Sequence, residues 1–250
     1  MARASKKAEG PKSAKPPAAV VPRDRIIDAL MMLAAEERFE EITLRQIAER
    51  ADVSLAEFRE LFASKLSILA AFGRRIDRVV LEGATGDLAD ENSKERLFDV
   101  LMRRFDALAP YKEGLRGISE WLRRDPSAAP ALNRMAFNSM RFMLEAADIE
   151  TGGRVGALKT QGLVLAMARV TRTWLDDEDQ GLAETMAELD RTLTRGGKVV
   201  ERAREVDRLV SPIAAMARGV VDAGVTFLRN RGPGSRRRRG EEASAAANEI

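Results

Sequence analysis

The chain has 250 residues, of which 45% are hydrophobic and 32% charged, so it has enough apolar material for a sizeable core. It has neither cysteine nor histidine, which excludes disulfides, serine-histidine triads, cysteine nucleophiles and the usual zinc sites. The formal net charge of +3 comes from the two ends of the chain, because residues 23–228 by themselves carry a net charge of −4. We therefore expect a protein that is not an enzyme and that needs no metal or cofactor.

Both ends of the chain are predicted to be disordered. Residues 1–22 are basic and rich in alanine and proline, and residues 231–250 contain Arg236 to Arg239. The four arginines suit a solvated tail, a nucleic-acid contact or an anionic lipid surface. No stretch approaches the roughly 18 apolar residues of a membrane span, and the basic start lacks an apolar signal core. We expect a cytoplasmic location.

The first predicted helix starts near Asp24 and ends near residue 37, followed by Phe39. Its apolar residues recur at helical spacing on one stripe: Ile26, Ile27, Leu30, Leu33 and Ala34. This pattern predicts an amphipathic helix that buries one face.

Two short capped helices follow. Thr43 with Gln46 forms a capping-box pattern, and Ser54 with Glu57 forms a second one. Between them, residues 51–53 make a turn in which Asp52 takes the left-handed backbone position. The second short helix is predicted to run through Phe62. Two capped helices separated by a three-residue turn indicate a helix-turn-helix.

The rest of the chain is predicted to be helical as well. One helix starts at Ser64-Lys65 and runs to about residue 81, and a polar linker covers residues 83–92. Further helices are predicted at 93–108, 112–124, 128–148, 154–176 and 182–195, with prolines and glycines between them. A last amphipathic stretch covers 199–228 and is bent at Pro212.

The segment from Ile26 to Phe72 resembles the headpiece of TetR-family regulators. The shared pattern is an amphipathic helix, an aromatic residue, T-x-x-x-I-A-x-x-A-x-V-S, and then F-x-x-x-F-x-S-K-x-x-L. The resemblance implies an all-α, TetR-like fold with a three-helix headpiece at 23–72. It also implies a helical effector-binding and dimerisation domain at 73–197, followed here by an extension at 198–230.

The resemblance further implies a DNA-binding homodimer controlled by a small molecule. The third helix would enter the major groove of double-stranded DNA, with Lys65 on a phosphate at the start of the fourth. The DNA-binding residues predicted in this way are Thr43, Arg45, Ser54, Leu55, Ala56, Glu57, Arg59, Glu60 and Lys65.

Charge and a second resemblance support an alternative. The headpiece sums to −3, which opposes an approach to phosphates. The stretch from Thr173 to Leu193 resembles ubiquinone-biosynthesis accessory proteins, which share the TetR fold and bind lipid. That similarity is carried by Trp174, Asp176, Thr185, Leu189, Asp190 and Arg191. It implies a lipid-binding accessory protein with a degenerate headpiece.

Large apolar residues of the second domain are the candidates for a pocket that holds an apolar effector or a lipid. They are Trp121, Phe137, Met140, Phe142, Met143, Met167 and Trp174, although such residues also fill ordinary helical cores.

The helices at 154–176 and 182–195 are predicted to form the dimer face. The apolar residues expected there are Leu163, Leu165, Ala166, Val170, Leu182, Met186, Leu189 and Leu193. The acidic run at 176–179 lacks the glutamate that a calcium loop needs at its last position. We expect its carboxylates to stabilise the start of the following helix instead.

Overall fold

The structure, a computed structural model, describes residues 21–83 and 91–202. No strand occurs within these ranges, which confirms the all-α prediction. The helices are α1 (Pro22–Glu36), α2 (Leu44–Arg50), α3 (Leu55–Leu61), α4 (Lys65–Glu82), α5 (Ser93–Leu108), α6 (Lys112–Arg124), α7 (Ala129–Ala146) and α8 (Gly153–Asp176). A further helical stretch, α9, covers 183–202.

Most predicted boundaries agree with these helices, and one is wrong. The helix predicted at 182–195 continues through Gly196 and Gly197 to residue 202. The predictions for most of residues 1–22, for 84–90, for most of the 199–228 stretch and for Arg236 to Arg239 lie outside the described residues. The domain boundaries at 72 and 197 stay predictions.

α1 is the centre of the headpiece, because nearly half of its residues are buried and three other helices pack against it. Seven of its fifteen residues are buried: Ile26, Ile27, Ala29, Leu30, Met31, Leu33 and Ala34. It packs against α2, α4 and α6. The predicted apolar stripe is therefore correct but too narrow, since Ala29 and Met31 are buried as well, Met31 against Gly114 of α6.

α6 lies against α1 at backbone distance. A Cβ atom placed on Gly114 would lie 2.4 Å from the carbonyl oxygen of Met31. One placed on Gly117 would lie 2.1 Å from the carbonyl oxygen of Ala34. Only glycine fits at these two positions, so the two glycines set how closely the second domain approaches the headpiece.

Helices α4, α5, α7 and α8 enclose the core of the second domain. Phe105 of α5 and Trp174 of α8 are almost fully buried and their ring centroids are 5.4 Å apart. A polar contact lies among these helices: Arg104 Nη1 is 2.5 Å from Asp77 Oδ1, and Ser139 Oγ donates to the same oxygen at 2.6 Å. This ion pair ties α4 to α5 and α7.

The predicted dimer face needs a correction. Leu163, Val170 and Leu189 are buried inside the protomer, so they do not contribute to a surface. Leu165 on α8 and Met186 on α9, which belong to the predicted face, are exposed. Leu158 on α8 and Val199 on α9 are exposed as well and were not predicted. The apolar periodicity predicts the helices correctly. It does not show which apolar face of each helix is buried within the protomer and which stays exposed.

No helix within the described ranges is long and apolar enough to cross a membrane.

Replacing Gly117 by alanine tests the backbone contact between α1 and α6. The added methyl group would collide with the Ala34 carbonyl, so we expect the free energy of unfolding to fall by about 1–3 kcal/mol. Gly73→Ala is the matched control, because a Cβ there meets nothing within 4 Å. Alanine favours the helix, so this control should gain up to about 1 kcal/mol. Thermal or urea unfolding measures both, and equal stability of the two variants would contradict the contact.

Candidate nucleic-acid interface

The turn between α2 and α3 has the predicted helix-turn-helix geometry. The hydroxyl of Thr43 accepts from the Gln46 backbone N–H at 3.2 Å, and Gln46 Oε1 accepts from the Thr43 backbone N–H at 2.8 Å. Asp52 has a φ of 52°, which confirms the left-handed position. Ser54 caps α3 by accepting from the Glu57 backbone N–H at 3.1 Å. The return bond from the Glu57 side chain is absent, so the second predicted capping box is only half formed.

α3 rests on the headpiece through one side chain. Phe58 is its only buried residue, whereas Leu61 is half-buried. The other five side chains of α3 are exposed, and all five were predicted to contact DNA: Leu55, Ala56, Glu57, Arg59 and Glu60. Thr43, Arg45 and Ser54 are exposed as well. The structure thus brings the predicted recognition residues to one exposed element.

Lys65 is bound within the headpiece. Its ammonium group donates to the carbonyl oxygens of Phe39 at 2.5 Å, Ile42 at 2.9 Å and Glu40 at 3.4 Å. It also lies 4.7 Å from the centre of the Phe39 ring. Burial lowers the pKa of Lys65, and the Glu40 carboxylate opposes this in part. All three donors of Lys65 have acceptors, so it holds the loop before α2, and its predicted phosphate contact stays a prediction.

Most acidic side chains of the headpiece are paired with arginines, which changes its electrostatics. The pairs are Asp24 and Asp28 with Arg75, Glu36 with Arg50, Glu40 with Arg38 and Arg124, Glu41 with Arg38, Glu49 with Arg45, and Asp52 with Arg25. Arg75 and Arg124 lie beyond residue 72 and were not counted in the sequence sum. Each of these two arginines brings to headpiece carboxylates a positive charge that the sum over residues 23–72 left out.

Three charged residues of α3 stand apart from this pairing. Within the described ranges, Glu57, Arg59 and Glu60 have no ion-pair partner, while the carboxylates on α1 and α2 are mostly neutralised. Exposed ion pairs add little to stability, but they remove charge from the surface that faces a ligand. Every charged residue of α3 therefore lacks an ion-pair partner in the described part of the chain, whereas the acids of α1 and α2 all have one.

Aromatic and ionic contacts join the headpiece to α6. The rings of Phe39 and Trp121 lie 4.6 Å apart, and Arg124 contacts both carboxylate oxygens of Glu40 at 3.2 Å. Arg124, with help from the Glu40 backbone N–H and from Arg38, lowers the pKa of Glu40 to about 2. Trp121 was predicted to line a ligand pocket, but in the structure it covers Phe39 of the headpiece.

The remaining predicted ligand residues belong mostly to the core. Met140, Met143, Met167 and Trp174 are buried in one continuous hydrophobic cluster, against which Phe137 packs half-buried. Phe142 is half exposed. These side chains fill the interior of the second domain, and their role in ligand binding stays a prediction.

Three residues behind the second resemblance, Trp174, Thr185 and Leu189, lie at the corner between α8 and α9. Trp174 and Leu189 are buried, and Asp177 accepts from both the backbone N–H and the hydroxyl of Thr185 at 2.9 and 2.7 Å. Asp179 accepts from the Ala183 backbone N–H at 3.2 Å. These bonds confirm that carboxylates of the acidic run stabilise the start of α9. The acidic run at 176–179 therefore has a structural role at this corner that does not involve lipid binding.

α6 also contacts the end of α8, a link that the sequence did not indicate. Lys112 donates to the carbonyl oxygen of Asp177 at 2.6 Å, and Arg116 donates to that of Leu175 at 2.5 Å. Cations suit these positions because the carboxyl end of a helix has unpaired carbonyl groups. A lysine and an arginine four residues apart are too common on exposed helix faces to have predicted this contact.

Comparison with known proteins gives partial alignments to repressors. No family model matches the chain. It is 34% identical over 76 residues to the HTH-type transcriptional repressor KstR of Mycolicibacterium smegmatis, covering 30% of this chain and 37% of that one. It is 29% identical over 113 residues to KstR of Rhodococcus jostii, covering 45% and 46%. The chain thus spans less than half the length of these curated relatives.

The fold matches solved structures over a longer stretch. A TetR transcriptional regulator from Nitrosomonas europaea superposes with a TM-score of 0.55 and 28% identity, over 70% of this chain and 97% of that one. A TetR regulator from Rhodococcus sp. RHA1 superposes with a TM-score of 0.52 at 20% identity, over 70% and 95%, which shows the fold alone. Similarity to repressors agrees with the expectation of a non-enzymatic protein.

The lowered pKa of Glu40 gives a test of the contact between the headpiece and α6. A carboxylate with a depressed folded-state pKa stabilises the fold above its unfolded value, near 4.5. That contribution is lost as the pH falls from about 4.5 towards 2. We expect Arg124→Gln to raise the pKa of Glu40 towards 4.5, as measured by NMR titration of its carboxyl carbon. Arg123→Gln, next to it and without this contact, should leave the pKa unchanged. A similar pKa in both variants would mean that Arg124 is not the cause.

Proposed function

We propose that the chain is a TetR-family transcriptional regulator, a sequence-specific DNA-binding protein that acts as a homodimer. Each headpiece would read one half-site of double-stranded DNA, with α3 in the major groove. The observation that carries this proposal is that α3 is free to contact a ligand. Its outward side chains are all exposed, and its three charged residues have no ion-pair partner among the described residues. In a headpiece that no longer binds DNA, nothing would favour an uncovered α3 together with arginine-paired acids on α1 and α2.

The homodimer is proposed from the faces that the protomer leaves uncovered. Leu165, Leu158 and Met186 are exposed by 64%, 46% and 41% on α8 and α9. Exposed apolar side chains on neighbouring helices suit a two-fold interface, in which the same patch of both subunits is buried. Two headpieces held at a fixed spacing would then contact two half-sites of the same duplex.

Control by an apolar small molecule is proposed for the second domain. The core around Met140, Met143 and Trp174 is built from adaptable or large apolar side chains, which suit a bound apolar ligand. A ligand that repacks this core would shift the end of α8. Lys112 and Arg116 connect that end to α6, and α6 contacts α1 through its glycines. The effector site and the headpiece are thereby joined through α6.

A regulator of this kind acts where the chromosome is, so we propose a cytoplasmic location in a bacterial cell.

Arg59 gives a test of DNA binding through its salt dependence. One lost phosphate contact lowers the slope of log K against log salt by about 0.9. We therefore expect Arg59→Ala to weaken binding to every duplex and to reduce this slope by about one in gel-shift titrations. Lys65→Ala is predicted to do the same if it also contacts a phosphate, and in addition to lower thermal stability, because three carbonyl groups lose their donor. An unchanged slope in either variant would remove that residue from the interface.

Leu165→Glu tests the dimer face. A charge buried against its own symmetry copy is strongly unfavourable, so the variant should have the mass of a monomer in light scattering at micromolar concentration. The wild type should have the mass of a dimer. Met32→Glu, a similar change at an exposed residue of α1, should leave the dimer intact. A monomeric wild type, or a dimeric Leu165→Glu variant, would rule out this face.

A further inference from the structure

The side chains of α3 fall into three directions around the buried residue Phe58. A helix turns by about 100° per residue, so Ala56 and Glu60 point away from Phe58. Leu55 and Arg59 share one flank, and Glu57 lies on the other. The part of α3 that faces furthest outward therefore consists of the methyl group of Ala56 and the carboxylate of Glu60. Arg59 and Glu57 flank this pair, and Leu55 lies nearer to Phe58 but is still 44% exposed.

These side chains are unsuited to reading purines. Guanine is read by bidentate contacts from arginine or lysine, and adenine by contacts from asparagine or glutamine. The sequence of α3, LAEFREL, contains one arginine and no lysine, asparagine or glutamine. That arginine, Arg59, lies on the flank of the helix, where a phosphate contact is the expected use.

The same side chains suit pyrimidines. The 5-methyl group of thymine in the major groove is read by apolar contact, and the 4-amino group of cytosine donates to a carboxylate. Leu55 and Ala56 provide the apolar contact, and Leu55 is 44% exposed. Glu60 provides an acceptor that has no partner among the described residues.

The Glu60 side chain has no bonding partner among the described residues. Glu57 lies in the first turn of α3, where an acid is favoured by the helix dipole. Glu60 lies in the last turn, where an acid is disfavoured. Near DNA, an unpaired carboxylate is also repelled by phosphates unless it accepts a hydrogen bond from a base. A contact with an amino group in the groove would offset both the helix dipole and the repulsion from phosphates for this outward-pointing acid.

We propose, on the premise of the DNA-binding function above, that α3 reads pyrimidines. Leu55 and Ala56 contact the methyl groups of thymines, and Glu60 accepts a hydrogen bond from the amino group of a cytosine. The contacted strand of each half-site is then rich in thymine and cytosine, and Arg59 positions the helix on the backbone without reading guanine.

The experiment begins with the full-length protein and a pool of random-sequence duplexes. After selection, each thymine of the enriched half-site is replaced in turn by uracil, which removes only the 5-methyl group. We expect about a fourfold loss of affinity at each contacted thymine, because burying one methyl group strengthens binding by about this factor. Because this change is made in the DNA, it does not depend on whether a protein variant folds.

Two variants assign the contacts to their residues. Leu55→Ala should remove the thymine-over-uracil preference at one position per half-site, while Leu44→Ala, a similarly exposed leucine that starts α2, should keep it. Glu60→Gln should change the preferred base at one position from cytosine to adenine, because glutamine pairs with adenine. Glu82→Gln makes the same charge change at the far end of α4 and should leave every preference unchanged.

The outcomes separate the two proposals. If the wild type enriches no sequence, the DNA-binding function is wrong, and the pyrimidine preference is wrong with it. If a sequence is enriched but uracil substitution has no effect and Glu60→Gln keeps the cytosine, α3 reads DNA by other contacts. The regulator function would then stand, and the pyrimidine proposal would be overturned.

Discussion

The contact between α1 and α6 is the constraint on which the rest of the structure depends. Two glycines let the backbone of α6 approach the carbonyl groups of Met31 and Ala34, and any larger residue would push the helices apart. At this distance the ring of Trp121 reaches Phe39, and Arg124 reaches Glu40. The same helix holds the end of α8 through Lys112 and Arg116. α6 therefore fixes the headpiece relative to the helices that are proposed to form the dimer.

This arrangement also decides the charge of the headpiece surface. Counted along residues 23–72, the headpiece is acidic, which suggests poor affinity for phosphates. In the folded chain, Arg75 of α4 and Arg124 of α6 reach back to carboxylates on α1 and in the following loop. The acids on α1 and α2 are paired, whereas Glu57, Arg59 and Glu60 of α3 are not paired with any described residue. The arginines that reach the headpiece from α4 and α6 thus weaken the argument that its acidic charge prevents DNA binding.

Local signals explain why the fold was predictable. Thr43, Ser54 and Asp52 act through bonds or backbone angles within a few residues, so their roles could be inferred from spacing alone. The periodicity of apolar residues likewise predicted the helices from 22 to 176 with errors of about two residues. The exceptions have local causes too: the Glu57 side chain makes no bond back to Ser54, and two glycines did not end α9.

The sequence by itself determined the helices and their caps, because each depends on residues within one or two turns. Only the tertiary structure decided which apolar stripes of α8 and α9 stay exposed, since Leu163 and Leu165 are alike until the other helices cover one of them. It likewise decided that Lys65 binds three carbonyl groups and that Trp121 covers Phe39. Those contacts join residues more than 20 positions apart, and no local pattern in the sequence specifies which distant side chains will meet.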